Sequence, residues 1–105
     1  MNKKELTRAY CNTSYRVRVS PEPIRLRVGE RSAAFDEVLN SYGVTHWAFI
    51  TAYNPRSRQL SDEENRRRHR DLLRKVKSIN CQTLACEAKG DDGAWPAEEG
   101  LIVLD

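Results

Sequence analysis

The amino-acid sequence predicts an α+β fold: one domain with a mixed, mainly antiparallel sheet of about five strands and two main helices, in the order β-β-α-β-α-β-β. Three observations carry that expectation. Residues 15–19 and 24–28 alternate apolar and basic side chains, the period of a half-buried strand. Two longer segments space their apolar residues three and four apart, the period of a helix buried on one side. The runs 46–53 and 101–104 are apolar and uncharged, as inner strands are.

Taken in order, residues 1–14 have no clear period and read as an N-terminal arm or a short helix; residues 15–105 form the domain itself. Tyr15, Val17, Val19, Ile24, Leu26 and Val28 face the core of a hairpin whose turn is Ser20-Pro21-Glu22-Pro23. Arg16, Arg18, Arg25 and Arg27 then face outward together. Ser32 is placed to cap a helix over 33–42, with Phe35, Val38, Leu39 and Tyr42 on one stripe and Gly43 at the left-handed position after it. The run 46–53 is apolar on both alternating sets and reads as a central strand covered on both faces, stopped by Asn54-Pro55. Ser61-Asp62-Glu63-Glu64 is a capping box opening a helix to Ile79. Its apolar stripe is Leu72, Val76 and Ile79, with Leu73 beside it. Continued backwards, the stripe meets His69 and Asn65, so its first half is polar. A strand near 82–88, a loop at Gly90-Asp91-Asp92-Gly93, an irregular piece over 95–100 and a strand at 101–104 complete the chain.

The 105 residues suit one domain able to bury its own core. No segment reaches the roughly 20 apolar residues that span a bilayer, and no apolar stretch follows the N-terminal lysines as a secretion signal would need. Three cysteines, Cys11, Cys81 and Cys86, lack framework or metal-ligand spacing and read as structural. The expected setting is the cytoplasm, without a membrane. Charge is polarised: residues 1–58 carry net +5, 66–77 net +6 and 78–105 net −5. Such asymmetry fits an anionic partner, or pairing of the two parts with each other or with a second copy.

The run Trp47-Ala48-Phe49-Ile50-Thr51-Ala52-Tyr53-Asn54-Pro55-Arg56-Ser57, followed by Ser61-Asp62-Glu63-Glu64-Asn65, resembles the central motif of domain-of-unknown-function family 3293, found in bacteria. Tyr15-Arg16-Val17 and Ile24-Arg25-Leu26-Arg27-Val28-Gly29-Glu30 resemble its opening hairpin. Gly90-Asp91-Asp92-Gly93-Ala94-Trp95-Pro96 and Glu99-Gly100-Leu101-Ile102-Val103-Leu104 resemble its closing loop and strand. The resemblance covers residues 12–104. It departs at Tyr53, where tryptophan is common, and in the helix and short segment that usually follow the last strand, a C-terminal extension missing here. It implies fold and compartment, and it brings no activity with it.

No motif assigns a reaction or a cofactor. The leading expectation is a non-enzymatic module that binds a protein or an anionic ligand through loop 54–58 and helix face 65–69. Asn54, Arg56, Ser57, Asn65 and His69 would carry the contact, because ligand groups gather at strand ends beside helix N-termini. The same asparagines would equally serve to cap the strand and hold the loop. A second expectation is nucleic-acid binding through Arg16, Arg18, Arg25 and Arg27. A third is a metal-dependent enzyme on nucleotides or nucleic acid, using Asp91, Asp92, Glu98 and Glu99. A protein partner or a homodimer is compatible with the first.

Overall fold

A computed structural model of the chain describes residues 2–55, 58–93 and 96–105. Its elements are α1 (Lys3–Cys11), β1 (Thr13–Val17), β2 (Ile24–Leu26), α2 (Ala33–Tyr42), β3 (Trp47–Ile50), α3 (Asp62–Ser78), β4 (Thr83–Gly90) and β5 (Glu98–Leu104). The α+β class holds. The N-terminal segment is a helix, making three among the described residues rather than two. The five strands lie in the order β2-β1-β4-β5-β3, and every neighbouring pair is antiparallel, so the sheet is not mixed.

The helices begin and end where local chemistry dictates. Asn2, Ser32 and Ser61 each accept a hydrogen bond from the backbone N–H three residues on, satisfying a donor the helix itself cannot. After α2, Gly43 at φ 69° donates to Asn40 O and Val44 donates to Leu39 O. After α3, Asn80 at φ 56° donates to Lys77 O and Cys81 to Val76 O. Both are Schellman endings, and the second uses asparagine where glycine is usual.

Topology places the helices. The β2–α2–β3 crossover traverses the sheet from one edge to the other, and β3–α3–β4 runs back the opposite way. Right-handed crossovers in opposite directions put their helices on opposite faces. Burial agrees. Phe35 and Leu39 of α2 join Val17, Leu26, Leu84, Cys86, Ile102 and Leu104 in one core cluster. Val76 of α3 and Leu101 of β5 are also buried but lie outside that cluster; Leu101 alternates with Ile102 and so points to the second face.

Several boundaries move. The run 46–53, expected at the centre, is an edge strand of four residues whose first two are exposed. Val28 is 53 % exposed, because β2 stops at Leu26 and Gly29, at φ 83°, turns the chain away. Tyr42 and Trp47 are each 42 % exposed, although the Trp47 ring meets Phe35 edge-on at 5.1 Å. Ile79 is past the last turn of α3 and is left 70 % exposed. Arg27, expected outside with its neighbours, is half-buried.

The last strand starts three residues early, at Glu98. That register sets Glu99 opposite Glu87, an unfavourable like-charge pair. Arg18 bridges the two carboxylates, at 2.7 Å to Glu99 and 3.2 Å to Glu87. One residue on, Gly100 leaves space that a side chain would fill: a Cβ there would lie 2.5 Å from both the Ile50 carbonyl oxygen and the Phe49 ring. The polarised charge is therefore spent partly inside the molecule.

Candidate functional site

Beyond the end of β3, Asn54 and Asn65 form a buried clasp within the chain. Asn54 adopts φ 43°, a left-handed conformation that asparagine tolerates better than most residues. This turns its N–H towards α3, where it donates to Asn65 Oδ1 at 2.9 Å. Asn65 Nδ2 returns a bond to Asn54 Oδ1 at 2.9 Å, and Leu60 N–H donates to the same oxygen at 2.8 Å. Asn54 Nδ2 donates to Glu98 Oε1 at 2.8 Å. Both asparagines are buried. Each of their side-chain polar atoms is thus engaged by the protein itself, which ties strand end, loop, helix and β5 into one unit.

His69 lies one turn further along α3. Its ring meets Tyr53 edge-on at 6.1 Å, and its Nδ1 is enclosed without a hydrogen-bond partner among the described residues. Arg56, Ser57 and Trp95 lie outside the described residues. The clasp therefore brings together Asn54, Asn65 and, through Tyr53, His69.

Beside the clasp, on the face that α2 shares, the sheet forms an open groove of about 1450 Å³. Its floor follows from the register. Tyr15, Ala88 and Glu98 stand in one row across three strands, and the small Ala88 leaves a hollow between the larger two. Phe49 and Thr51 continue the floor towards Asn54 and Pro55; Leu6 and Tyr10 of α1 stand along one side. Six of the seven aromatic residues among those described line it: Tyr10, Tyr15, Phe35, Trp47, Phe49 and Tyr53. Tyr15 and Phe49 pack edge-on at 5.1 Å. Burial, first of all, holds the Tyr15 and Tyr53 hydroxyls above their ordinary pKa, so both stay protonated donors. Glu98 brings a half-buried carboxylate to the floor, with Oε1 turned to Asn54.

The four hairpin arginines divide. Arg18 is held by Glu87 and Glu99. Arg27 donates to Asp91 at 2.6 Å, to Ser14 and to Cys11 O at the end of α1, and also pairs with Glu30. Arg16 and Arg25 are exposed and opposite each other in register, with Arg25 bonded to Ser14. On α3, Glu64 holds Arg67 and Arg68, and Asp71 holds Arg74.

The carboxylates considered for metal binding are dispersed for a simple reason. Glu98 and Glu99 are adjacent on a strand and point to opposite faces. Asp91 is engaged by Arg27 and Ser14. Among the described residues, no three or more His, Cys, Asp or Glu side chains gather as metal ligands. The cysteines are unpaired, and burial pushes the Cys86 thiol up to about 12, an inert value at neutral pH.

The sequence reading found the clasp through its polar stripe. It missed the groove, because each aromatic residue taken singly reads as core. The available signal was the alternation of Tyr15, Val17 and of Trp47, Phe49, Thr51, Tyr53, which sets these side chains on one face of each strand.

Fold and site together define a small antiparallel α+β domain with helices on both faces, an asparagine clasp and an aromatic groove. The chain belongs to the DUF3293 family, described as proteins of unknown function, whose family model matches residues 50–105. That match contains the clasp and both strands of the sheet's inner β4–β5 pair; the opening hairpin, part of the resemblance seen in the sequence, lies outside it. No curated protein and no solved structure matches the chain. No helix among the described residues is long and apolar enough to cross a membrane.

Proposed function

We propose that the domain is a binding module that holds a segment of a partner protein in the aromatic groove, with Asn54 and Pro55 at one of its walls. One observation carries this: most of the aromatic residues share a single open groove with Glu98 on its floor. Pockets for small molecules run to about 300–1,000 Å³; this one is larger and open, as an extended polypeptide requires. Aromatic walls around a carboxylate favour cations with an apolar stem, so the segment carries lysine or arginine among apolar residues. An anionic ligand fits less well: Glu30, Asp36 and Glu98 line the groove against Arg27 and Arg31, and Arg27 is already paired with Asp91 and Glu30.

The test is a displayed peptide library selected on the protein, followed by calorimetric titration of the enriched peptides. Basic and apolar sequences are expected. Glu98→Gln keeps the acceptor for Asn54 and should weaken binding about tenfold, the size of one charge-assisted bond. Tyr10→Ala, at an exposed position, should weaken it without changing the melting temperature, and Arg16→Ala should leave it alone. Selection of acidic peptides, or equal binding by the Glu98→Gln variant, rejects the reading.

A further inference from the structure

We infer that β3 is a self-association edge, on which a second copy of this chain adds its own β3 to make a continuous two-fold sheet. His46 and Asp105 exchange both backbone bonds, at 3.2 and 3.0 Å. In an antiparallel ladder such pairs alternate, so Ala48 and Ile50 also direct their N–H and C=O groups towards β5. Trp47 and Phe49 direct theirs to the open side, where no strand follows. Among the described residues, no backbone hydrogen bond outside the sheet engages them.

Composition points to what covers this edge. Residues 38–55 are eighteen in a row without Asp, Glu, Lys or Arg, in a chain that is 31% charged. Edges meant to stay free carry charges, prolines or bulges. A strand that pairs with its own copy has a stricter need. About a two-fold axis only the residue on the axis meets itself, but its close neighbours lie near their own copies, so a charge at or beside the axis repels its own twin. A neutral run is what self-pairing demands, whereas an edge receiving a charged partner would present complementary charge.

Only residues with outward groups can form the bonded pairs; the register that also puts a small residue on the axis pairs Trp47 with Phe49 of the second copy and Phe49 with its Trp47. Ala48 then sits on the axis in the close, non-bonded position, and its methyl is small enough for it. The exposed indole of Trp47 gains the facing Phe49 ring, an aromatic cross-strand pair of the favourable kind.

This inference does not depend on a groove ligand, and its test uses the protein alone. Sedimentation equilibrium across the micromolar range should show a dimer. Ala48→Lys and Ala48→Glu, each at an exposed position, should be monomers with unchanged melting temperature, and an equimolar mixture of the two should be dimeric again. Hydrogen exchange provides the second readout: the Trp47 and Phe49 amides should be protected in the wild type and exchange freely in Ala48→Lys. A monomeric wild type overturns the inference. So does a dimer that survives both substitutions, or one in which those two amides exchange as fast as in the monomer.

Discussion

The two edges of the sheet are built on opposite rules. The β2 edge has three residues, is preceded by Pro21 and Pro23, carries Arg25 and is followed directly by Arg27. Arg27 is locked by Asp91 and Glu30, and Gly29 turns the chain off the sheet directly afterwards. Short length, proline and charge are the means by which proteins prevent edge-to-edge pairing. The β3 edge is short as well, at four residues, but neither charge nor proline lies anywhere from Val38 to Asn54. What fixes the chain just beyond β3 is not a charge but the clasp, in which Asn54, four residues past Ile50, is bonded to α3 and β5. One edge is finished within the chain; the other is left able to pair, and the groove lies between them.

Breaking the clasp should have the largest effect. Asn65→Ala removes the acceptor of a buried N–H and the donor to Asn54 Oδ1. Stranding buried polar groups costs about 2–3 kcal/mol, which for a domain of this size lowers the melting temperature by more than about 10 °C. If thermal denaturation moves by only a few degrees, the clasp is not what fixes the chain beyond β3. Gly100→Ala comes next. Its Cβ would meet the Ile50 carbonyl and the Phe49 ring, and relief requires β3 to move off β5. Overpacking of this kind costs about 1–3 kcal/mol. Urea unfolding should show it, together with faster amide exchange in Ala48 and Ile50, the residues bonded to β5.

The contrast between edges also explains what could be read from the sequence. Period, caps and stops are local, so α2, the start of α3 and the hairpin came out at nearly their observed positions: Ser32, Gly43 and Ser61 act where their chemistry says. Strand order is not local. Residues 46–53 have the composition of a central strand, and nothing within them states that, among the described residues, no strand lies on their outer side. The clasp was half legible, since Asn65 and His69 interrupt an apolar stripe. That Asn65 would spend both polar atoms on Asn54 and Leu60, rather than offer them outward, depends on the φ of Asn54. The groove depended on register, because only pairing Tyr15 with Ala88 and Ala88 with Glu98 lines up its floor.

At the β2 edge the effects are smaller. The Arg27 guanidinium, and after it the Ser14 hydroxyl, hold the Asp91 carboxyl below the usual carboxylate range. A carboxyl whose folded pKa is depressed contributes stability above its unfolded pKa, and loses it as pH falls through the folded value. The melting-temperature gap between wild type and Asp91→Asn should therefore be largest near neutrality and shrink below about pH 4. A gap independent of pH would mean that Asp91 contributes a hydrogen bond and no charge, and the β2 edge would lose one of its two ionic locks.

The smallest effect belongs to Val28, and it tests where the β2 edge stops. Val28 is in phase with Ile24 and Leu26, so a strand continued by two residues would bury it. It is exposed instead, beyond the last paired residue and before the Gly29 turn. Val28→Thr should then change stability by less than about 0.5 kcal/mol, as exposed positions do. A cost above about 1 kcal/mol, the size expected for a side chain packed in a core, would place Val28 inside the sheet. The edge would then be five residues long, with an unblunted end of its own, and the asymmetry between the two sides of the sheet would have to be sought in charge alone.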